Sequence, residues 1–271
     1  MTVAPALLLA LKLGLVLVAV LAASLVSRRF GHAAGGLLAG MPMIAGPITG
    51  LLLIDLPNEA VRAVCLATLA CQPAMIAYLV ALAHLARWWR WPACLAVALA
   101  LHFGCGVLLL MAPLPEWGRV ALAIAAPALG LRAMPSAARR GGLGGPVELP
   151  RIELACRIAV ALVVAAGVLW GAQHLSTGLA GLLLAAPVAG MVLPAFTLPR
   201  HGSVATAALL AGFVRGQIGF VSFFVVMLLA LPRLPGALCW GVAMLASAVL
   251  PWAWASRHAA ASRAAGPRDL V

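Results

Sequence analysis

Nine stretches of almost uninterrupted apolar residues run along this chain, and short polar segments separate them. Most of them approach the roughly 20 residues that an α-helix needs to cross a hydrocarbon core of about 30 Å. The pattern therefore predicts an all-α, polytopic integral membrane protein with about nine transmembrane helices. The predicted spans are 3–26, 33–54, 60–84, 92–112, 118–134, 152–172, 177–198, 203–230 and 236–256.

The fifth stretch is the weakest of the nine, because only Val120 to Leu131 separate Arg119 from Arg132. It crosses the membrane if both arginine side chains extend to the two surfaces. The distribution of basic residues favours a crossing. With the N-terminus outside, the inner loops and tail hold twelve arginines and the outer loops three, which matches the excess of basic residues in cytoplasmic loops. We expect an N-terminus outside and a cytoplasmic C-terminus in a bacterial inner membrane.

Composition supports the membrane assignment, with 65% apolar and 9% charged residues. The formal charge of +12 predicts no nucleic-acid partner, because most basic residues lie in the short loops that orient the chain. The first stretch carries Lys12 inside its apolar run and lacks a basic leading region, so we expect it to remain as a membrane helix rather than to act as a signal peptide.

The sequence repeats itself at an offset of 145 residues, which places Gly36 to Pro42 on Gly181 to Pro187. Because an odd helix separates the two copies, the repeats are predicted to be inverted in the membrane. The same offset relates two further polar pairs: Lys12 with Arg157, and Gln72 with Gln217.

The repeat predicts a division of the chain into four parts, of which the last is expected to lack regular structure. They are a first four-helix repeat (1–113), a linking helix and cytoplasmic loop (114–151), a second four-helix repeat (152–256) and a basic cytoplasmic tail (257–271).

The second helix of each repeat is rich in glycine and proline. Pro42 and Pro187 each remove a backbone donor, so the carbonyl groups of Leu38 and Leu183 are expected to be loosened. Close helix packing through small residues is one interpretation. However, interrupted helices at corresponding positions of inverted halves favour a transport site near the middle of the bilayer. We predict that the helix breaks around Gly36, Pro42, Gly181 and Pro187 line this site.

Three basic residues, Lys12, Arg157 and Arg215, fall within the apolar stretches. A charge at the bilayer centre costs at least about 2.5 to 3.5 kcal/mol, so each is a functional candidate. All acidic residues lie in loops, near span ends or in the tail. A buried cation without a carboxylate partner favours contact with water or an anion.

These residues predict a substrate site in an electropositive cavity. Lys12, Arg157 and Arg215 would attract the negative group of a small anionic solute or lipid head group, while Gln72 and Gln217 would orient it. Two alternatives remain open: Arg157 could form a surface ion pair with Glu153, and the two glutamines could simply join helices.

Other chemistry is not indicated. The six cysteines and His102 fit a packed core and show no metal-ligand spacing, so no metal or cofactor is predicted. The spans contain no carboxylate pair, zinc motif or nucleophile with a base, and the chain has no phosphate-binding GxxxxGK[ST] loop. The sequence therefore predicts a protein that is not an enzyme.

The string from Ala180 to Pro187, with Gly202 fifteen residues after the proline, resembles the GlpM/YdgC-like family of small four-helix inner-membrane proteins. The resemblance covers about 177–256 and extends to 32–112, where Pro57 takes the place of Gly202. It implies a fused tandem copy and a role linked to envelope polysaccharide. The family's aromatic residues around the proline are absent here.

The sequence thus predicts a membrane transporter or flippase for a small anionic or amphipathic solute, working by alternating access between the two repeats. Two alternatives from other classes remain. One is a scaffold subunit whose partners are envelope-synthesis proteins, and the other is a passive channel. A carrier predicts saturable counterflow, a channel predicts current that does not saturate, and a scaffold predicts copurifying partners without flux.

Overall fold

The computed structural model describes residues 35–136, 151–174 and 176–264, together with positions 14, 17 and 18. Side chains are described at these positions except at 157, 171–173 and 252–264. The described ranges contain helices, turns and short connections but no strand, so the all-α fold class is confirmed. The helices are α1 (35–40), α2 (Ala45–Asp55), α3 (Asn58–Ala70), α4 (Gln72–Leu85), α5 (Trp91–Met111), α6 (Glu116–Ala133), α7 (Arg151–His174), α8 (Thr177–Leu184), α9 (Val188–Ala230) and α10 (Gly236–Ala264).

Several helical stretches have the length and apolar composition needed to cross a bilayer, and many large apolar side chains remain exposed on their outer faces. This arrangement is compatible with a membrane protein. The predicted first span lies outside the described residues except for three positions. Five stretches of the described part qualify: Gly35–Asp55, Asn58–Leu85, Trp91–Met111, Arg151–Trp170 and Thr177–Ala230.

The stretch Thr177–Ala230 contains 54 residues and turns at Gly202. The φ angle of Gly202 is +76°, a conformation that glycine adopts without the clash that a Cβ atom would cause. Gly202 lies between the predicted spans 177–198 and 203–230. Its counterpart 145 residues earlier is Pro57, which precedes α3 in the first half of the chain.

The predicted third span, 60–84, consists of two helices, because α3 ends at Ala70 and α4 begins at Gln72. Pro73 lies in the first turn of α4 and cannot donate a backbone hydrogen bond to Leu69. The apolar pattern did not predict this interruption. It places Gln72 at the start of a helix, deep in the protein.

Two other predicted segments, the fifth span and the tail, can be compared with the observed helix boundaries. The predicted fifth span corresponds to α6, whose 18 residues measure about 27 Å at 1.5 Å per residue. The tail was expected to lack regular structure from residue 257, but α10 continues to Ala264. Residues 137–150 of the predicted cytoplasmic loop and the last residues, 265–271, lie outside the described part.

Helix α9 is the centre of the packing and contacts α3, α4, α6, α7 and α10. Its aromatic side chains Phe213, Phe223 and Phe224 are almost completely buried. Each such side chain contributes on the order of 2 to 3 kcal/mol when it leaves water, although in a bilayer the gain comes from close packing instead. The elements around α9 bring the two halves of the sequence into direct contact.

Candidate functional site

Two helix interruptions, at 41–44 and 185–187, have the same backbone hydrogen bonds at positions 145 residues apart. In the first, Met41 donates to the carbonyl of Leu38 at 3.2 Å and Met43 donates to that of Met41 at 2.7 Å. In the second, Ala186 donates to Leu183 at 3.0 Å and Val188 donates to Ala186 at 2.8 Å. The next helix then starts with the same bond in both copies: Gly46 to Pro42, and Met191 to Pro187, each at 2.7 Å.

The prolines explain this geometry. Pro187 has φ −77° and ψ 59°, the values of the central residue of an inverse γ-turn, and the proline ring fixes φ near this value. Pro42 occupies the corresponding position of the first interruption. The expected loosening of the Leu38 and Leu183 carbonyls is only partial, because each accepts a bond from the residue three positions later.

A cavity of about 70 Å³ lies where the two interruptions meet. A water molecule needs roughly 10 to 15 Å³ of such space, so the cavity has room for a few waters or part of a small solute. Its lining is mainly apolar and includes the residues on both sides of Pro42 and Pro187. Six pairs of lining residues are 145 positions apart: Ala39 and Leu184, Met41 and Ala186, Met43 and Val188, Ile44 and Ala189, Ile48 and Leu193, and Met75 and Phe220.

Each interrupted helix also packs on the third helix of the other half. A Cβ at Gly36 of α1 would collide with the Leu209 carbonyl of α9 and would lie 3.0 Å from the backbone nitrogen of Phe213. A Cβ at Gly181 of α8 would lie 2.8 Å from the backbone nitrogen of Thr68 in α3. Gly181 is 145 residues after Gly36, and Thr68 is 145 residues before Phe213. The two contacts therefore correspond to each other.

The pair Gln72 and Gln217 lies beside the cavity and joins the two halves directly. The Nε2 group of Gln72 donates a hydrogen bond to Oε1 of Gln217 at 2.9 Å. Both side chains are buried, with exposed fractions of 0% and 1%. Gln217 lines the cavity, whereas Gln72 does not. An amide side chain can both donate and accept hydrogen bonds.

Of the predicted cations, Arg215 is the one whose side chain the structure describes, and it does not line the cavity. Arg215 precedes Gln217 by two residues, which turns an α-helix by about 200°. Its side chain is partly buried and is not among the residues that line the cavity. It shares a face of α9 with Gly219, whose Cα lies against Ser247 and Pro251 of α10.

The side chains of the other two predicted cations, Arg157 and Lys12, lie outside the described residues. Arg157 lies in α7, two turns before Val164, which lines the cavity, but the side chain of Arg157 is outside the described part. Lys12 also lies outside the described residues. Glu153, the acidic neighbour of Arg157 in sequence, is 6% exposed and has an interaction partner.

Tyr78 is a structural residue of this region that sequence reasoning missed. Its hydroxyl donates a hydrogen bond of 2.7 Å to the carbonyl of Gly190. That carbonyl has lost its helical partner, because the residue four positions later is Pro194, which has no N–H. A single tyrosine within an apolar stretch needs a polar partner when it is buried, and this requirement was the available signal.

His102 of α5 is fully buried and contacts the ring edges of Tyr78 and Phe103. Neither of its ring nitrogens has a hydrogen-bond partner in the described part. No group of three potential metal ligands occurs among the described residues. His102 therefore lies in the core beside Tyr78 rather than in a ligand cluster.

The cavity combines thioether and hydrocarbon surface from Met41, Met43 and Met75 with the amide side chain of Gln217. Methionine side chains adapt to ligands of different shape because they are unbranched and polarizable. Comparison with protein-family profiles, curated proteins and solved structures finds no match to this chain, so the geometry of the site carries the functional argument.

Proposed function

We propose that the protein is a membrane transporter or flippase for a small amphipathic solute with an anionic head group. The observation that carries this proposal is the cavity at the junction of two interrupted helices, lined by six pairs of residues related by the sequence repeat. Midplane sites formed by discontinuous helices of repeated halves are the common architecture of secondary transporters. The lipid bilayer and the solute are the partners that this function requires.

The proposed architecture has nine spans and two inverted four-helix repeats in a bacterial inner membrane, with the N-terminus outside. The excess of arginines in the predicted inner loops supports this orientation. Matching hydrogen bonds in the two interruptions, and matching contacts of Gly36 and Gly181, support the repeat. The GlpM/YdgC-like resemblance, if it reflects ancestry, would make the chain a fused tandem copy.

The nature of the lining supports an amphipathic substrate. Apolar atoms form most of the cavity surface, and no charged side chain lines it within the described residues. The apolar part of the solute would contact Met41, Met75 and Phe220, while an oxygen of its head group would accept a hydrogen bond from Gln217. Lys12, Arg157 and Arg215 would attract the anionic head of the solute.

A flux measurement tests this function. The purified protein is reconstituted into phosphatidylcholine vesicles that contain a short-chain fluorescent phosphatidylglycerol, and dithionite outside bleaches the probe that reaches the outer leaflet. We expect translocation above that of protein-free vesicles, without ATP, and saturation as the fraction of probe rises. Saturation is expected because each cycle occupies one cavity.

The alternatives give different results in the same vesicles. A channel would give an ion current that rises linearly with anion concentration, and a scaffold would give no movement of lipid or ions. Uptake of inorganic phosphate without lipid translocation would assign the cavity to a small anion instead. Translocation equal to that of protein-free vesicles, with no phosphate uptake, would contradict the proposed transport.

A further inference from the structure

Four pairs of repeat-related positions contribute to the cavity from one half only, among the described residues. Phe213 and Gln217 of the second half line the cavity, whereas their counterparts 145 residues earlier, Thr68 and Gln72, do not. In the first half, Gly35 and Ala45 line it, whereas their counterparts Ala180 and Gly190 do not. The six matched pairs line the cavity from both halves. The asymmetry of the third helices is the one that involves the two buried amides.

The hydrogen bond between Gln72 and Gln217 is also asymmetric, because one amide is the donor and the other is the acceptor. Gln72 donates to Gln217, and Oε1 of Gln72 is buried without a donor in the described part of the protein. Gln217 accepts this hydrogen bond and lines the cavity. An exchange of the two roles would give Oε1 of Gln72 a donor and would turn the N–H groups of Gln72 to the ligand.

We infer that this asymmetry marks one of two access states, and that the opposite state contains a second form of the site lined by Thr68 and Gln72. This inference rests on the proposed transport function and its inverted repeats. In inverted halves, exchange of equivalent contacts converts a cavity open to one side of the membrane into a cavity open to the other. Gln217 then donates to Gln72, and Phe213 leaves the cavity lining, from which Thr68 is absent in the state described here.

The two forms of the site differ in chemistry. In the described form, the Gln217 amide and the aromatic ring of Phe213 line the cavity. In the opposite form, the Gln72 amide and the hydroxyl of Thr68 line it. The Thr68 hydroxyl currently donates within its own helix to Val64 at 2.8 Å and lies 3.4 Å from the carbonyl of Gly181. In the opposite form it adds a hydrogen-bonding group for the oxygen-rich head of the solute.

Single-cysteine labelling tests the inference without knowledge of the substrate. The six native cysteines are replaced by alanine, and Thr68→Cys and Phe213→Cys are introduced separately, which leaves both amides intact. A membrane-impermeant maleimide is then applied to either side of oriented vesicles. We expect the two cysteines to react from opposite sides, each with a preference of roughly tenfold or more, as expected for states that exchange.

Matched controls keep the test informative. Ile44→Cys and Ala189→Cys lie at a pair of positions that both line the cavity, so each is expected to react from both sides. Ala45→Cys replaces Phe213→Cys if that variant does not fold, because Ala45 lines the cavity and its counterpart Gly190 does not. Ala45→Cys is expected to react from the side that labels position 213.

Labelling of positions 68 and 213 from the same side, or of position 213 alone, would overturn the inference. This outcome would leave the proposed transport intact if the vesicles still translocate the fluorescent phosphatidylglycerol. Conversely, opposite-sided labelling without translocation would retain the two states and reject the proposed function.

Discussion

Gln217→Leu is expected to lower the saturable translocation of fluorescent phosphatidylglycerol by about tenfold or more, which corresponds to at least about 1.4 kcal/mol. Leucine keeps much of the side-chain volume but removes the amide of this cavity-lining residue. A hydrogen bond to a charged oxygen contributes about 1.5 to 3 kcal/mol. The substitution also leaves Nε2 of Gln72 buried without its acceptor.

The double variant Gln72→Leu, Gln217→Leu provides the control. Because each single substitution leaves the other amide buried without its partner, the double variant is expected to lose less than the sum of the two single losses. Initial translocation rates for the four proteins measure this coupling. Wild-type translocation by Gln217→Leu would show that the amide does not contact the solute.

Gly216→Ala is expected to lower the free energy of unfolding by about 3 kcal/mol or more, at the upper end of overpacking costs, and Gly36→Ala by a similar amount. A Cβ at Gly216 would collide with the Leu37 carbonyl and lie 2.8 Å from the Cα of Gly40. The atoms in the way belong to the backbone of another helix, so no side chain can rotate aside. Thermal unfolding in detergent, followed by circular dichroism, measures the effect.

Gly104→Ala and Gly241→Ala are matched controls, because a Cβ at either position meets no atom of the described residues within 4 Å. In these helices the change is expected to be neutral or to stabilise by up to about 1 kcal/mol, from the higher helix propensity of alanine. An unfolding temperature of Gly216→Ala equal to that of Gly241→Ala would contradict the close contact between the backbones of α1 and α9.

The sequence predicted those features that depend on local chemistry. Long apolar runs predict helices because a chain in lipid must satisfy its backbone polar groups internally. Pro42 and Pro187 indicated where two helices are interrupted, since a missing N–H acts within about one turn. The repeat identified Gln72 and Gln217 as equivalent positions, because an alignment of the sequence with itself at an offset of 145 residues places one on the other.

Features that depend on which helix faces which could not be predicted in the same way. Contact between Gln72 and Gln217 requires α4 and α9 to meet at the cavity, and no sequence spacing encodes that meeting. Arg215 was predicted to belong to the same substrate site as Gln217, but it does not line the cavity, because a separation of two residues turns it to a different face of α9. The apolar pattern did not predict the break at Cys71, because a single proline, Pro73, lies within a long apolar run.

Topology mapping of exposed positions 145 residues apart tests the central claim, the inversion of the two halves, most directly. The exposed residues Glu59 and Val204 form one such pair, and Trp88 and Arg233 form a second. Single cysteines at these positions are labelled in intact cells and in inside-out vesicles with an impermeant maleimide. The account predicts that the members of each pair react from opposite sides of the membrane, whereas reaction of both members from the same side would contradict it.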